Sequence, residues 1–331
     1  MRIALDAMGS DRAPAVEVEG AVGALLDLPE LSVVLVGDRA RVEAELARYP
    51  DAPRDRIEVV HTTEVIEMGE SPAHAVRRKP DSSIVVGTRL HKEGVVDGFV
   101  SAGSTGATMA ASLLILRPLP GVDRPAIGAD LPSAAGRFLL LDMGANVDVR
   151  PHHLVQFAHL GSVYAQDLMG IERPRVGLLN IGEEEEKGNE TTVEAYRLLK
   201  EDPHLLFVGN VEGRDIIQGK CDVLVCDGFV GNVLLKFYES MAGFMSGFIR
   251  REIQEQGVQL DLERLFRRLD YTQWGGAPLL GVNGVTIICH GGSPPLAIRN
   301  ALLKAASSVA SGMVEHVAGR LTRPGAATPA P

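Results

Sequence analysis

Six segments combine glycine with hydroxyl, amide, carboxylate or imidazole side chains, the groups that bind an anion or stabilise a developing oxyanion. They cover residues 6–11, 101–107, 142–148, 180–190, 227–232 and 290–293. Glycine lets backbone N–H groups approach an anion closely, and the N-terminus of a following helix adds partial positive charge. Because each segment follows a short apolar run, we expect it at the end of a strand. The pattern predicts a site for an anionic substrate such as phosphate.

Within these segments, the residues that we expect to bind substrate are small or polar. They are Asp6, Gly9, Ser10, Ser101, Gly103, Ser104, Thr105, Gly106, Asn146, Asp227, Gly231 and His290. The segment 101–107 is the best single candidate for a phosphate-binding loop. It matches neither a Walker A loop nor a G-x-G-x-x-G fingerprint, and neither pattern occurs elsewhere in the right context. The sequence therefore does not indicate a site for ATP or NAD.

Three residues are candidates for the chemical step. Lys187 and Asn189 lie at the predicted start of a helix, where the helix dipole repels a lysine unless an anion lies between them. This favours a substrate contact for Lys187 over a solvated charge. Asn232 suits either a helix cap or a neutral donor to an oxyanion. His290 suits either a structural histidine in the core or a general base.

The composition excludes several classes of protein. The 331 residues are 45% hydrophobic and 23% charged, and the net charge of −10 argues against a general nucleic-acid binder. The three cysteines, Cys221, Cys226 and Cys289, indicate no disulfide framework and no zinc spacing, so we expect a cytoplasmic protein without a bound metal. Two uncharged stretches, 98–116 and 275–298, contain too many polar residues and prolines for membrane spans.

Short β-branched or leucine-rich runs alternate with amphipathic segments along the chain. The runs predict strands at about 2–7, 32–37, 57–62, 97–101, 138–142, 175–181, 205–210, 222–226 and 285–289. The amphipathic segments predict helices at about 14–28, 39–48, 83–93, 105–116, 151–169, 190–201, 229–255 and 295–317. This alternation is typical of an α/β fold with a mostly parallel sheet and helices on both faces. We expect all six polar segments at the same edge of that sheet.

One region departs from the alternation and predicts a projecting helical hairpin at about 229–270. Two helical patterns follow each other there, with only Gly257–Gln259 between them. An isolated hairpin cannot bury the apolar residues of this region. They favour either packing on the core or an oligomer interface with an exposed tip. We expect one α/β domain over residues 1–318 and a disordered tail, rich in proline and alanine, over 319–331.

The order of the motifs along the chain resembles that of the bacterial phosphate acyltransferases of the PlsX type. The motifs that carry this resemblance are the opening MRIALDAMGSDRAP, RRKPDSS at 77–83, SAGSTGA at 101–107, DMGANVD at 142–148, KGNE at 187–190, DGFVGN at 227–232, GVNG at 281–284 and HGGS at 290–293. The resemblance extends to about residue 317. It adds Asn283 to the candidate substrate-binding residues.

The resemblance implies a reaction in which an acyl chain moves from the thioester of acyl carrier protein to inorganic phosphate. A downstream membrane glycerol-phosphate acyltransferase would use the acyl phosphate in phospholipid synthesis. Lys187, Asn232 and Asn189 would carry the chemistry without a cofactor. The resemblance also implies a fold similar to phosphotransacetylases and isocitrate-dehydrogenase-like enzymes, and a cytoplasmic homodimer. The hairpin tip around Gly257–Phe266 would contact an anionic membrane surface on the inner face of the cell membrane.

Two residues depart from the family pattern. Ser10 replaces a common glycine, which matters only if the position needs a positive φ, and Ser104 replaces a common asparagine but keeps a hydroxyl donor.

Two other functions fit parts of the sequence. A decarboxylating dehydrogenase that uses NAD(P) needs metal-binding aspartates together with an arginine cluster, which the sequence does not combine. A membrane scaffold without activity would leave the six polar segments unexplained.

Overall fold

One eleven-stranded sheet organises the chain, with strand order β3-β2-β1-β4-β11-β10-β5-β6-β9-β7-β8. The computed structural model describes residues 1–256 and 271–321. The strands are β1 Arg2–Asp6, β2 Ser32–Gly37, β3 Ile57–His61, β4 Gly98–Ser101, β5 Ala126–Ser133, β6 Gly136–Leu141, β7 Arg175–Leu179, β8 Leu206–Val211, β9 Val223–Val225, β10 Ala277–Leu280 and β11 Val285–Ile288. Most neighbouring strands are parallel, which confirms the predicted α/β class.

Helices connect the strands and cover the sheet. The α-helices of the described residues are α1 Ala15–Asp27, α2 Arg39–Leu46, α3 Pro72–Arg78, α4 Ser83–Lys92, α5 Thr105–Ala111, α6 Pro151–Met169, α7 Glu190–Glu201, α8 Gly228–Gln256, α9 Pro295–Ala310 and α10 Met313–Leu321. A π-helical turn, Ser112–Leu116, continues α5, and 3₁₀ turns occur at Arg54–Arg56, Ile216–Gln218 and Tyr271–Trp274. Among these helices, none is both long and apolar enough to cross a membrane.

The sheet reverses direction in its middle, so the expectation that all polar segments share one edge is wrong. Three successive pairings, β11–β10, β10–β5 and β5–β6, are antiparallel. Strands β6, β9, β7 and β8 therefore run opposite to β1, β2, β3, β4 and β11. We call the edge where β1, β4 and β11 end the β1 edge, and the edge where β6, β7 and β9 end the β6 edge.

The sequence patterns missed the two strands that cause this reversal. Gly128 and Asp130 interrupt the apolar pattern of β5, and prolines lie within and before it. β10 has four residues, one of them Pro278. Helix α3 was missed because its seven residues have no apolar period of 3.6. The predicted helix 295–317 is two helices, since Gly312 has a φ of 67° between them.

Each face of the sheet has its own helices and apolar core. On one face, α1 and α9 cover the first half of the sheet, and α6, α7 and α10 cover the second. On the other face, α3, α4 and α5 cover the first half, and α8 covers part of the second. Helix α10 runs to Leu321, so residues 319–321 of the predicted tail are helical; the rest of the tail lies outside the described residues.

A buried ionic network ties the central strand β5 to the helices behind it. The Lys304 ammonium of α9 lies 2.8 Å from a carboxylate oxygen of Asp130, and the Tyr164 hydroxyl of α6 donates to the same oxygen at 2.6 Å. Lys304 also donates to the carbonyl of Gly276, next to β10. Burial would raise the pKa of Asp130, but the charges of Lys304 and Arg137 hold it below its ordinary value. The network fixes the strands that reverse the sheet.

Candidate active site

A cleft of about 490 Å³ opens over the middle of the sheet, between α5 and α8. Its floor is the face of β5 that carries Ile127, Ala129 and Leu131, together with Ala277 of β10 and Ile288 of β11. From Ile127 to Leu131 the floor extends about 13 Å along the strand. Helix α5 packs on the first half of the sheet and α8 on the second, and the cleft is the gap between these two helices. The cleft therefore runs from the β6 edge to the β1 edge.

At the β6 edge, Asn232 lies in the first turns of α8 and lines the cleft beside Gly144. A Cβ atom at Gly144 would lie 3.7 Å from the Cβ atom of Asn232. The helix begins at Gly228, and the side chain of Asp227 accepts the backbone N–H of Val230. The cap is thus Asp227, and the interpretation of Asn232 as a helix cap is wrong. No side-chain hydrogen bond of Asn232 to the described residues occurs, so its amide is free to donate.

The start of α8 is fixed against the loop after β6. The backbone N–H of Gly228 donates to the carbonyl of Asn146 at 2.7 Å, and Gly231 packs so closely on the carbonyl of Asp142 that a Cβ atom would not fit. Asp142 itself is fully buried and accepts the N–H groups of Ile127 and Asn146 at 3.0 and 2.7 Å. Burial raises the pKa of this carboxyl. These contacts position Asn232 but leave Asn146, Asp227 and Gly231 outside the cleft lining.

At the β1 edge, Thr105, Gly106, His290 and Ser293 line the cleft. His290 is exposed, so it is not the core histidine that the sequence allowed. Its Nδ1 accepts the backbone N–H of Gly292 at 3.0 Å, which leaves the proton on Nε2. Ser104 caps α5 by accepting the N–H of Ala107 at 3.3 Å. The Ser104 oxygen therefore accepts within its own loop, and its hydroxyl proton is still available to donate.

The predicted residues at the ends of β1 and β4 form a buried network rather than an open site. The Ser101 hydroxyl donates to Asp6 at 2.7 Å and accepts the N–H of Gly103 at 3.0 Å. A Cβ atom at Gly9 would lie 2.5 Å from the nitrogen of Gly103, so only glycine fits there. Burial raises the pKa of Asp6. Asp6, Gly9, Ser101 and Gly103 join two loops and do not line the cleft.

Ser10 belongs to the same loop and does not need a positive φ, since Arg117 is the one non-glycine residue with a positive φ in the described chain. The N–H of Ser10 donates to Oε1 of Glu17 at 2.9 Å. Glu17 is fully buried, and its Oε2 has no hydrogen-bond partner among the described residues. Burial raises the pKa of Glu17 to about 7. Sequence inspection missed Glu17, because a glutamate in the first turn of a helix is usually exposed.

Lys187 and Asn189 lie at the β6 edge in the loop after β7, outside the cleft lining. Both are exposed. The side chain of Asn189 accepts the N–H of Thr192 at 2.9 Å and so caps α7. β9 separates β7 from β6, which places this loop about 10 Å from the loop after β6. Asn283 lies in the exposed turn between β10 and β11 and does not line the cleft either.

The cleft lining also includes Asp130 of β5 and two charged residues of α8, none of which the sequence motifs indicated. Lys236 and Glu239 line the cleft from α8, one and two turns after Asn232. They follow the motif DGFVGN rather than belong to it, and residues at i, i+4 and i+7 share one face of a helix. Helical spacing from Asn232 was the signal that could have identified them.

One group of side chains in the described chain has the spacing of metal ligands, namely Asp123, His152 and His153. His152 lies 2.9 Å from the Asp123 carboxylate, and Nδ1 of His153 accepts the backbone N–H of Arg150 at 3.0 Å. Nε2 of His153 therefore carries the proton and is a poor metal ligand. Burial lowers the pKa of His153 to about 4. The cluster lies outside the cleft lining. Its hydrogen bond to the backbone of Arg150 fixes the N-terminus of α6, a structural role that these contacts favour over metal binding.

The three cysteines, Cys221, Cys226 and Cys289, are buried and free. Burial raises the pKa of Cys221 and Cys289 to about 12, and that of Cys226 well above its ordinary value. These thiols stay protonated near neutral pH, so none is an activated nucleophile.

Comparison with known proteins gives a consistent result over nearly the whole chain. A family model described as "Fatty acid synthesis protein" matches residues 1–316. The phosphate acyltransferase of Heliobacterium modesticaldum is 53% identical over 97% of this chain and 99% of its own length. That of Moorella thermoacetica is 52% identical over 95% of this chain and 94% of its own length.

Solved structures share the fold at low sequence identity. The EutD phosphotransacetylase from Staphylococcus aureus has a TM-score of 0.62 at 19% identity and covers 93% of this chain and 94% of its own. A phosphotransacetylase from Streptococcus pyogenes has a TM-score of 0.64 at 18% identity, covering 94% of both chains. At this identity the likeness shows a shared fold, as the sequence predicted.

The raised pKa of Glu17 predicts that stability depends on pH. Between about pH 4.5 and 7 the unfolded chain loses this proton while the folded chain keeps it, so the free energy of unfolding falls as pH rises. Glu17→Gln keeps a neutral side chain and should be more stable than the parent by roughly 3 kcal/mol at pH 8. The two proteins should differ little at pH 4. Urea unfolding at both pH values measures this, with Glu19→Gln, exposed on the same helix, as the control. Equal stability at pH 8 would contradict the assignment.

Proposed function

The chain belongs to the family described as fatty acid synthesis proteins, and on that basis we propose that it is a phosphate acyltransferase. The acyl chain of a thioester is transferred to inorganic phosphate, and we propose acyl carrier protein as the donor. The observation that carries this proposal is the cleft itself. It joins an apolar floor, which suits an acyl chain, to a free amide and a cation at the start of α8, which suit an anion.

The reaction needs little from the protein beyond positioning and charge. A phosphate oxygen attacks the thioester carbon, and the carbonyl oxygen becomes an oxyanion. When the intermediate collapses, the carbon–sulfur bond breaks and the thiolate takes the proton that the phosphate gives up, leaving acyl phosphate and free thiol. Holding the two reactants together and donating to the oxyanion are the main contributions of such a site. Asn232, half-buried at the cleft wall with a free amide, is the proposed oxyanion donor.

Lys187 remains a proposed catalytic residue with a different position from Asn232. Its loop and the start of α8 lie at the same edge of the sheet, and its side chain packs on Gly182 without an ion pair in the described chain. It therefore lies outside the cleft wall, at the same edge of the sheet as Asn232. Asn189 fixes the first turn of α7 and is proposed to position Lys187. We propose that the reaction uses no cofactor.

We expect Lys187→Ala to lower turnover at least about a hundredfold and Asn232→Ala to lower it less strongly, because each removes a donor to developing negative charge. The assay follows phosphate-dependent loss of acyl carrier protein thioester. Lys220→Ala is the matched control, since Lys220 is paired with Glu183 and lies outside the cleft. Loss of thioester that does not depend on phosphate would reject the proposed function. Normal turnover by Lys187→Ala would remove that residue from the site.

We propose that the chain forms a homodimer through the exposed side of α8. Phe229, Phe237, Phe244 and Phe248 are each more than half exposed and form one stripe about 29 Å long with Val233. The stripe lies away from the core side of the helix, where Leu234 and Tyr238 pack, and its start borders the cleft side. So large an apolar surface is rare on a monomer, and a two-fold axis lets the same stripe cover itself in a second copy.

Replacing Phe237 and Phe244 together by Ser should convert the dimer into monomers, because both buried rings are lost from the interface. Light scattering after size-exclusion chromatography gives the mass. Leu26→Ser, at an isolated leucine that is 64% exposed on α1, is the control and should keep the mass of the parent. A parent protein that is monomeric, or a double variant that stays dimeric, would reject this interface.

We also propose that the protein binds an anionic membrane surface from the cytoplasmic side, where a glycerol-phosphate acyltransferase would use its product. The predicted hairpin tip, Gly257–Phe266, lies outside the described residues, and α8 leads directly to it. Its sequence places leucines beside Arg264, Arg267 and Arg268, which suits shallow insertion among anionic headgroups. Asp261 and Glu263 oppose this attraction, so we expect the binding to be weak and reversible.

Changing Leu260 and Leu262 to Glu should release the protein from anionic vesicles in a flotation assay, because shallow apolar insertion is lost and negative charge is added. Turnover of soluble substrate should persist. Vesicle binding that survives both substitutions would show that the tip is not the membrane contact. Loss of the dimer in this variant would show that the two leucines belong to the subunit interface.

A further inference from the structure

Among the described residues that line the cleft, Lys236 alone has a permanent positive charge. It lies on α8 four residues after Asn232, so the two side chains project from the same side of the helix, about 40° apart. Within the described chain Lys236 forms no ion pair and no side-chain hydrogen bond, and it is exposed to the cleft. Several other lysines form ion pairs with carboxylates, as Lys200 does with Glu185, so Lys236 differs from them in having an unpaired charge.

The other charges around the cleft favour one end of it for an anion. Glu239 lines the cleft one turn beyond Lys236, toward the β1 edge, and would repel an anion there. Asp130 is already paired with Lys304 behind the floor. His290 lies at the far end, where its Nδ1 is engaged by a backbone N–H. A dianion is therefore most stable between Asn232 and Lys236, near the N-terminus of α8.

We infer that Lys236 binds the phosphate substrate and holds it beside Asn232 for attack on the thioester. This inference rests on the proposed phosphate acyltransferase function. Sequence motifs place the phosphate at the loop 101–107, but the Ser101 hydroxyl donates to the buried Asp6, and the amides of Gly103 and Ala107 donate to serine oxygens of the loop. The loop also carries no positive side chain, whereas Lys236 brings an unpaired ammonium to the cleft beside the free amide of Asn232.

A charge that binds phosphate should act on the Michaelis constant for phosphate and leave that for the thioester unchanged. Lys236→Gln should raise the KM for phosphate about ten- to a hundredfold, as expected for the loss of a charge-assisted hydrogen bond. Lys236→Arg keeps the charge and should restore most of the affinity. Glu239→Gln removes the nearby repulsion and should lower the KM for phosphate. Lys92→Gln, exposed on α4 and outside the cleft, is the control.

The outcomes separate this inference from the proposed function. If the parent enzyme shows no phosphate-dependent loss of thioester, the proposed function fails. If the parent is active and Lys236→Gln has the parent's KM for phosphate, the inference about Lys236 is wrong. Equal increases in KM for both substrates, or a lower kcat alone with an unchanged KM for phosphate, would likewise reject phosphate binding by Lys236. Circular dichroism and a melting curve establish that each variant is folded.

Discussion

The antiparallel run β11–β10–β5–β6 is the constraint on which the rest of the structure depends. It reverses the strand direction in the second half of the sheet. Helices α5 and α8 therefore start at opposite edges of the sheet and run antiparallel over the same face. The gap between the two helices lies over β5, and this strand forms the floor of the cleft. The buried network of Asp130, Lys304 and Tyr164 secures this strand from behind. A parallel sheet without the reversal would have brought all the polar loops to one edge, without a cleft across its face.

Two buried aspartates hold the loops at the two edges in equivalent ways. Asp6 ends β1 and accepts the Ser101 hydroxyl and the N–H of Met8, and Asp142 follows β6 and accepts the N–H groups of Ile127 and Asn146. Burial raises the pKa of each carboxyl. A buried carboxylate repels phosphate, so these motif residues shape the loops while Asn232 and Lys236 face the substrate. Some residues of the sequence motifs, such as Asp6 and Asp142, therefore hold the loops in place, whereas others, such as Asn232, contact the substrate.

Much of the fold follows from the sequence, because apolar runs of period two and helical patterns of period 3.6 identify the elements that pack by burial alone. The elements that were missed, β5, β10 and α3, carry prolines, a buried aspartate or too few apolar residues to show a period. Their structure depends on tertiary contacts such as the pairing of Asp130 with Lys304, which link residues far apart in the chain. The direction of β6 could not be predicted without those two strands.

The candidate site was predictable in part. Asn232, Thr105, Gly106 and His290 were expected and do line the cleft. Lys187 and Asn189 were expected beside them, but the strand order places β9 between their loop and β6. Lys236 and Glu239 were missed because their place in the cleft depends on which side of α8 faces β5. That orientation is set by the close contact between Gly231 and Asp142, which no local pattern reveals.

The most direct test of this account is a crystal structure of the protein with a heavy phosphate analogue such as tungstate, whose position anomalous scattering locates. The account predicts one strong peak in the cleft between the amide of Asn232 and the ammonium of Lys236, within hydrogen-bond distance of both. A peak at the loop 101–107 or beside His290, with none at the start of α8, would contradict it.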